Sequence, residues 1–347
     1  MTRRSGSCLR VAALAAGFLV GTLGGPGDAH AQSKTGTTVG TFLMIEPDAR
    51  ISGMGNAGVA LDFGLDAVYY NPAAAGSLKQ TALAFSHSEW IAGINYNHVT
   101  TAVPLGSAGV LLGSVTALTS GDIDVRTVDF PLGTGERYNV TDFALKLGYA
   151  RAITDRFSVG GRVAYVQERI WNSSTSMGVL DLGTLYRLTD QGMQLGASFS
   201  NVGTGSQYDG TDLRITYDQD PDINGDNGTL PAILFTDHFG VPVLFRMGVS
   251  MPVKLNARNL LRFAVDGFHP SDNDESISLG SEYTYKDMFA LRAGWQNLFL
   301  KDAEVGLTLG AGVRGEMNNS FGYHFDYAYA DHGRLDQTHR ITVGVDF

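Results

Sequence analysis

The chain has 347 residues with a single cysteine and a formal net charge of −10. One cysteine excludes an internal disulfide and a cysteine-ligated metal centre. An acidic chain without a basic run also argues against nucleic acid as a partner.

Residues 1–31 have the organisation of a secretory signal peptide. Three arginines precede a short run of apolar and small residues, and Ala29-His30-Ala31 then offers a cleavage site before Gln32. The apolar run is too short for a membrane-spanning helix, and no later stretch is long and apolar enough to be one. The cysteine, Cys8, lies in this leader, so the mature chain is predicted to carry none. Because cleavage removes three arginines and one aspartate, the mature net charge is about −12.

Residues 32–80 form a different kind of segment, which we predict to be an N-terminal hatch. The segment lacks strict alternation, is rich in small residues, and is too apolar to suit free exposure to water. Small residues allow a backbone to pack closely inside a barrel, so the lumen of the barrel predicted below is its expected place. A disordered periplasmic arm is the alternative. Within the segment, Asn71-Pro72 predicts a local turn or the start of a helix.

From about residue 81 to the C-terminus, apolar and polar side chains alternate in segment after segment. Two clear examples are Phe143-x-Leu145-x-Leu147-x-Tyr149 and Val243-x-Phe245-x-Met247-x-Val249-x-Met251. A strand with one face in hydrocarbon and the other in a polar interior must alternate in this way, and about 14 such segments occur, an even number as in bacterial barrels. We therefore predict an all-β fold, a 14-stranded antiparallel transmembrane β-barrel over residues 81–347, with residues 32–80 as a hatch in its lumen.

Short and long connections alternate between these segments. The longest connections lie at 120–139, 203–240, 268–275 and 330–338, with short turns between them. Short periplasmic turns and longer external loops are typical of outer-membrane barrels. A soluble sandwich or propeller also alternates, but the long series of strands with charged residues on one face favours the barrel.

The face opposite the apolar one carries charged residues of both signs. The inward set comprises Asp142, Lys146, Arg162, Glu168, Asp181, Arg187, Arg246, Arg262, Asp266, Glu282, Arg292, Arg314, His324, Asp326, Arg340 and Asp346. Because an unpaired buried charge costs about 3–5 kcal/mol, we expect structural Arg–carboxylate pairs that line the lumen. A field that selects permeant ions or solutes is the alternative, and the mixed signs disfavour it.

The longest connection contains an acidic stretch, 218–228, that resembles the first half of an EF-hand-type calcium loop. The side chains that would bind calcium are Asp220, Asp222, Asn224 and Asp226. A glycine stands at the position of the sharp turn, but Pro231 occupies the position of the bidentate acid. Calcium is therefore the one candidate cofactor, and a merely solvated acidic loop is the alternative.

The chain ends on an alternating strand, in which Phe347 follows Ile341-x-Val343-x-Val345. A terminal aromatic residue after such a strand resembles the signal read by the outer-membrane insertion machinery. We therefore predict that Phe347 is an insertion signal, that the protein is integral to the outer membrane, and that membrane lipid and the insertion machinery are partners.

Three stretches of the predicted hatch carry a resemblance to a known family. They are Phe42-Leu43-x-Ile45-x-Pro47-Asp48-Ala49-Arg50, Gly53-Met54-Gly55-x-Ala57-Gly58-Val59-Ala60 and Asp66-Ala67-x-x-Tyr70-Asn71-Pro72-Ala73. Together they resemble the PorV/PorQ family, which belongs to a wider FadL-like group of outer-membrane barrels with an Asn-Pro-Ala element in an N-terminal hatch. The resemblance assigns the hatch motif to Pro47, Asp48, Arg50, Gly53, Met54, Gly55, Asp66, Tyr70, Asn71 and Pro72. The usual Asn-Pro-Ala-Gly-Leu is interrupted, since Pro72-Ala73 continues into Ala74-Ala75-Gly76.

The resemblance implies two functions. The main hypothesis is a type IX secretion-associated barrel that binds partner or cargo proteins, and the alternative is a FadL-like channel for long-chain fatty acids or other hydrophobic molecules. A hydrophobic channel needs an apolar pocket between hatch and wall, and Phe42, Leu43, Ile45 and Met54 are its candidate lining, although they fit the core of a plug equally well. An enzyme is a weak third hypothesis, because the chain has neither Gly-x-Ser-x-Gly nor His-Glu-x-x-His.

Overall fold

The computed structural model describes residues 36–218, 222, 230–301, 303–317 and 321–347. The predicted signal peptide lies outside the described residues, and so does most of the candidate calcium loop. The described residues belong to one unit, Lys34–Phe347. Among them, no helix is long and apolar enough to cross a membrane.

Fourteen antiparallel strands form a closed barrel, which confirms the predicted fold class. They are β1 (Ala82–Glu89), β2 (Asn95–Pro104), β3 (Val110–Thr119), β4 (Val140–Thr154), β5 (Phe157–Ile170), β6 (Ser173–Arg187), β7 (Gln194–Gly203), β8 (Leu244–Asn256), β9 (Asn259–Pro270), β10 (Ser276–Tyr285), β11 (Phe289–Leu298), β12 (Leu307–Met317), β13 (Phe321–Asp331) and β14 (Gln337–Asp346). Each strand pairs with the next, and β1 pairs with β14 from Ala82↔Asp346 to Glu89↔His339. Closure in this way removes the free sheet edges that would otherwise recruit other chains.

The two ends of the barrel differ in their connections. At the end where β1 begins and β14 finishes, the strands are joined by short turns, and we call it the turn end. The opposite, loop end carries the long connections 120–139 and 204–243. Each of these contains a small hairpin, formed by Ile123–Asp124 with Arg137–Tyr138 and by Arg214–Tyr217 with Leu230–Ile233.

The strand faces separate apolar from polar side chains. On β4, Leu145 and Leu147 point outward and are 40% and 58% exposed, whereas Lys146 between them is buried. On β14, Ile341 and Val343 are exposed and Thr342 is buried. An exposed apolar band around a closed barrel suits contact with hydrocarbon rather than with water.

The hatch fills the lumen with short helical turns. Its elements are the 3₁₀ helix Thr41–Met44, the α-helix α1 (Ala49–Ser52) and the 3₁₀ helices Gly64–Ala67 and Pro72–Ser77. Helix α1 packs against β12, β13 and β14, whereas Pro72–Ser77 packs against β4, β5 and β6. The hatch therefore bridges two separate parts of the wall, as the predicted fold class requires.

The hatch runs along the barrel from one end to the other. Near its start, the Val39 N–H donates to the Gly240 carbonyl oxygen, at 2.9 Å, in a connection of the loop end. Just after its end, Thr81 and Phe347 exchange backbone hydrogen bonds of 3.0 and 2.9 Å at the turn end. The segment between these points threads the lumen before β1 begins.

Candidate functional site

An apolar cleft of about 780 Å³ opens at the loop end. Its walls come from the β3–β4 connection, the β5–β6 turn and the β7–β8 connection. The apolar side chains that line it include Ile123, Val125, Tyr138, Ile170, Trp171 and Leu213. A concave site with mostly apolar walls and few polar groups is the usual form of a small-molecule pocket.

Two aromatic rings form one side of this cleft. The centroids of Tyr138 and Trp171 lie 5.8 Å apart with the ring planes tilted by 30°. Trp171 adopts a left-handed backbone conformation with φ of 54°, which is uncommon for a bulky residue and needs support from its surroundings. That support is a hydrogen bond from the Trp171 N–H to the Asn139 carbonyl oxygen, at 3.2 Å, and one of 2.9 Å from Arg169 Nε to the Trp171 carbonyl oxygen.

The carboxylates at the cleft are engaged by protein groups. Asp212 accepts hydrogen bonds from the Asn172 backbone N–H at 2.9 Å, from Asn172 Nδ2 at 3.1 Å and from Ser173 Oγ at 3.3 Å. The side-chain hydrogen bond from Asn172, followed by the other two, lowers the pKa of Asp212. Asp124 pairs with Arg137 at 3.1 Å. Because these acids already have partners, a ligand in the cleft would meet mainly apolar and aromatic surface.

A buried apolar cluster, which we call the inner cluster, lies inside the loop half of the barrel. It joins hatch to wall through Val39, Phe42, Leu43, Tyr96, Leu118, Ala144, Val166, Met177, Val179 and Val241. Ile45 is partly buried and packs against it. Three of the four residues predicted to line a hydrophobic pocket, namely Phe42, Leu43 and Ile45, therefore lie together.

Met54, the fourth residue of that predicted lining, lies elsewhere. It is fully buried in a second cluster, which we call the hatch cluster. This cluster contains Ile51, Leu61 and Tyr70 of the hatch and Ala264 of β9. The structure thus separates Met54 from the inner cluster, and a single pocket lined by all four residues is not formed. A ligand-lining role for any of the four stays a prediction.

Tyr208 connects the cleft with the inner cluster. Among the described residues it is the one that both lines the cleft and packs against the inner cluster. Its hydroxyl donates to Glu168 Oε2 at 2.9 Å, while Glu168 Oε1 accepts the Gly40 N–H of the hatch at 2.7 Å. Burial, and then the negative charge of Glu168, raise the pKa of the Tyr208 phenol, so it keeps its proton as the donor.

The first hatch stretch ends in a capped helical turn. Asp48 Oδ1 accepts the Ile51 N–H at 2.9 Å and so caps α1, a role in which aspartate is favoured. Pro47, which precedes the cap, is buried. These two motif residues therefore fix where the hatch chain turns inside the lumen.

Arg50 ties the hatch to the barrel wall. Its guanidinium binds Glu282 of β10 through two hydrogen bonds of 2.9 and 3.0 Å and binds Asp66 of the hatch at 3.1 Å. The same guanidinium carbon lies 3.5 Å from the centroid of the Phe63 ring. Since Glu282 also pairs with Arg292 at 2.7 Å and with Arg262 at 3.1 Å, one carboxylate joins an arginine of the hatch to two arginines of the wall.

The glycines of the second motif stretch lie against wall backbone. A Cβ atom on Gly53 would be 2.9 Å from Gly310 Cα in β12. Gly55 has a φ of 67°, and a Cβ atom there would be 2.6 Å from the Leu279 carbonyl oxygen in β10. Both positions require the absence of a side chain, because the backbone they approach is part of the strand ladder.

The third motif stretch supplies buried polar anchors. The Tyr70 hydroxyl donates to Asn56 Oδ1 at 2.9 Å. Asn71 accepts the Ala73 N–H at 3.0 Å and so starts the helix Pro72–Ser77, in which Pro72 is the first residue. Asn71 Nδ2 donates to two backbone carbonyls, that of Val59 at 2.8 Å and that of Thr184 in β6 at 2.9 Å.

The inward charges largely form the structural pairs that the sequence predicts. Close ion pairs are Lys146–Asp181 at 2.9 Å, Arg162–Asp181 at 2.8 Å and Arg292–Asp326 at 2.6 Å. Two arginines predicted to point inward, Arg187 and Arg314, have side chains that are 45% and 46% exposed, because both lie near the turn end. Arg340 instead stacks over the Trp90 ring at 5.0 Å.

The two remaining predictions concern the calcium loop and the C-terminus. Asp220, Asn224 and Asp226 lie outside the described residues, and Asp222 is exposed, so calcium binding stays a prediction. In the described part of the chain, no group of three or more His, Cys, Asp or Glu side chains is arranged to hold a metal. Phe347 is 60% exposed and extends the β1–β14 pairing through its backbone, and its role as an insertion signal stays a prediction.

Sequence reasoning missed the cleft. Tyr138, Trp171 and Tyr208 lie in connections without periodicity, so no pattern marked them. A weak signal existed, since Tyr208 is an isolated aromatic residue between glycine- and aspartate-rich stretches. What brings these rings together is the folding of separate loops over one side of the barrel mouth.

The fold of this chain is similar to that of several solved hydrocarbon channels. No protein-family model matches the chain, and no curated protein matches it. Among solved structures, a TodX monoaromatic hydrocarbon channel mutant aligns with a TM-score of 0.54 at 13% identity, over 86% of this chain and 97% of that one. The Pseudomonas putida toluene transporter TodX aligns at 0.52 and 13%, over 87% and 98%, and the CymD monoaromatic hydrocarbon channel at 0.52 and 13%, over 86% and 96%. These likenesses show a shared fold.

Proposed function

We propose that this protein is an integral outer-membrane channel that admits small hydrophobic molecules. The observation that carries the proposal is the apolar cleft at the loop end, with the inner cluster of hatch and wall behind it. The fold shared with monoaromatic hydrocarbon channels supports it. This is the alternative of the two functions that the sequence suggests, and these observations favour it over secretion.

The membrane placement follows from the surface of the barrel. The exposed apolar band matches the hydrocarbon layer, and strands cross bilayers only in closed barrels. Short turns in such barrels face the periplasm and long loops face the outside. In this orientation the cleft faces the external medium and the turn end faces the periplasm.

The proposed substrates are small, uncharged and planar. Tyr138 and Trp171 present ring faces and edges that favour contact with another aromatic ring. Ile123, Ile170 and Leu213 complete an apolar lining, and a cleft of about 780 Å³ exceeds the volume of a single aromatic ring several-fold. Monoaromatic hydrocarbons, for which the similar channels are named, fit these requirements.

The test is uptake of radiolabelled toluene by cells that carry the protein as their one hydrocarbon channel. Leu213→Asp places a charge in the cleft and is expected to reduce the initial uptake rate about tenfold or more, because apolar ligands do not compensate a desolvated carboxylate. Leu234→Asp is the matched control, since Leu234 is 49% exposed in the same loop and does not line the cleft. Equal uptake by Leu213→Asp, Leu234→Asp and wild type would contradict the proposal.

The secretion-associated function of the PorV/PorQ type remains a second candidate. The observation in its favour is the tip of the β3–β4 connection, where Val128, Phe130 and Leu132 are 99%, 60% and 94% exposed. Apolar side chains so exposed on a loop are typical of protein-binding surfaces. Deletion of the gene would then leave cargo proteins in the periplasm, whereas a channel mutant secretes normally and fails to take up hydrocarbon.

A further inference from the structure

We propose that Glu168 and Tyr208 form a gate of the proposed channel. The gate separates the inner cluster from the external cleft, because one carboxylate binds both the start of the hatch and the β7–β8 connection. The role of this gate in transport rests on the proposed function. The closure itself depends only on the contacts of Glu168 and Tyr208.

The carboxylate of Glu168 has two partners from different parts of the chain. Oε1 accepts the Gly40 N–H of the hatch at 2.7 Å, and Oε2 accepts the Tyr208 hydroxyl at 2.9 Å. Glu168 itself belongs to β5 and is only 6% exposed. A buried carboxylate that binds through both oxygens forms strong hydrogen bonds, so the wall holds both segments at one point.

The position of Gly40 makes the hatch part of the same closure. Gly40 has a φ of 77°, which a residue with a side chain rarely adopts. A Cβ atom there would lie 3.4 Å from both Leu43 Cδ1 and Met177 Sδ of the inner cluster. The hatch backbone therefore covers the inner cluster at the point where Glu168 fastens it.

The ring of Tyr208 forms the other part of the closure. It both packs against the inner cluster and lines the cleft. Its backbone carbonyl accepts the Thr236 hydroxyl at 2.8 Å, which joins the two halves of the long loop. A molecule that moves from the cleft to the inner cluster must displace this ring, and the cost includes the hydrogen bond to Glu168.

The gate has a direct test, because the mature chain is predicted to have no cysteine of its own. Met177→Cys places a reporter thiol in the inner cluster, where Met177 is 4% exposed. Reaction of this thiol with a soluble maleimide, in the purified full-length barrel, measures how often the gate opens. Tyr208→Ala removes the ring together with its hydrogen bond and is expected to raise the labelling rate well over tenfold. Tyr208→Phe removes only the hydrogen bond to the carboxylate and is expected to raise the rate about tenfold, less than Tyr208→Ala does.

Matched variants separate gate opening from general loosening. Tyr217→Ala removes a 51% exposed tyrosine of the same loop that does not line the cleft and is expected to leave labelling unchanged. A second reporter, Ala264→Cys, lies in the hatch cluster away from the gate and stays protected in every gate variant. Unchanged labelling of Met177→Cys in Tyr208→Ala would overturn the proposal, and so would an equal rise at Ala264→Cys.

Toluene uptake then distinguishes the gate from the channel. Tyr208→Phe, without any reporter cysteine, is expected to take up toluene several-fold faster than wild type, because the opening step costs one hydrogen bond less. If wild type takes up no toluene while labelling responds as expected, the gate stands and the channel function fails. If uptake is normal and labelling does not respond to Tyr208→Ala, the channel stands and the gate is wrong.

Discussion

At the scale of single residues, the hatch depends on a few buried polar side chains that satisfy backbone groups. Asn71 has no exposed surface and connects three carbonyl or amide groups, of which Val59 and Ala73 belong to the hatch and Thr184 to β6. A buried backbone group that loses its partner costs about 1–3 kcal/mol. This explains in physical terms why an asparagine, with one donor group and one acceptor, precedes the proline.

Asn71→Asp tests this role, because it replaces the donor nitrogen by a second acceptor oxygen. The buried carbonyl of Val59 and the partly buried carbonyl of Thr184 then lose their donor. We expect the free energy of unfolding to fall by about 3 kcal/mol. Urea unfolding of the purified barrel in detergent, followed by tryptophan fluorescence, measures the change. Asn95→Asp, at an exposed position of β2, is the control and is expected to stay within about 0.5 kcal/mol of wild type.

Arg50 is a buried charged residue that, like Asn71, joins the hatch to the barrel wall. Arg50→Met keeps the length of the side chain but leaves Glu282 and Asp66 with fewer partners, and the fully buried carboxylate of Glu282 has little water to replace them. Breaking a buried pair is expected to destabilise the folded barrel by about 3 kcal/mol and to increase protease cutting within the hatch. Arg137→Met removes an exposed pair, with side chains 63% and 47% exposed, and should cost less than about 1 kcal/mol. Equal losses in the two variants would contradict this account.

The sequence predicted the interactions of these residues only where the partners are close together along the chain. The helix start at Asn71-Pro72 was predicted from local preferences. The helix cap at Asp48 obeys a local preference too, but it was not predicted. The partnership of Arg50 with Glu282 spans 232 positions along the chain, and no local rule indicates it. The sequence therefore indicated the residues of the hatch motif, but not the contacts that join them to the wall.

At the scale of elements, the strands were predictable because one physical requirement governs every residue in them. A barrel strand must alternate along its whole length, so each of the 14 segments repeats the same signal. The loops obey no such rule, which is why the cleft of Trp171 and Tyr208 was not foreseen. The hatch is intermediate, since its small residues indicate close packing but not the wall strand that each of them meets.

The contact between helix Pro72–Ser77 and β5 is one example of this close packing of hatch against wall. A Cβ atom on Gly160 would lie 2.6 Å from the carbonyl carbon of Pro72 and 2.7 Å from the Ala73 nitrogen. Both atoms are backbone, so neither can move aside as a flexible side chain could. The wall strand and the helix approach so closely only because position 160 is glycine.

Gly160→Ala is therefore expected to push the helix away from the wall, at a cost of about 2 kcal/mol. Gly178→Ala is the matched control, because a Cβ atom there would meet only the Ala164 carbonyl oxygen, at 3.9 Å. The measurement is the temperature at which the compact, unheated form of the barrel converts to the unfolded form on gels. A lower conversion temperature for Gly160→Ala alone supports the close approach, and equal behaviour of both variants contradicts it.

At the scale of the whole molecule, the hatch runs through the lumen from the loop end to the turn end. Thr38 of the hatch binds Asp272, a residue of the β9–β10 connection at the loop end, at 2.9 Å. Lys79, after the last hatch helix, lines a cavity at the turn end together with Thr154 and Arg156. The chain thus enters the barrel at the mouth that faces outward in the proposed orientation and leaves it at the periplasmic end.

This path predicts opposite accessibility for two exposed positions of the same segment. In intact cells, Thr37→Cys should react with a membrane-impermeant maleimide, whereas Lys79→Cys should react only after the outer membrane is permeabilised. Both side chains are exposed in the structure, so the membrane and the plugged lumen, not burial, would account for the difference. Mass spectrometry of the labelled peptides measures the reaction at each site. If Lys79→Cys reacts first in intact cells, the orientation is reversed, and the cleft then faces the periplasm instead of the substrates outside.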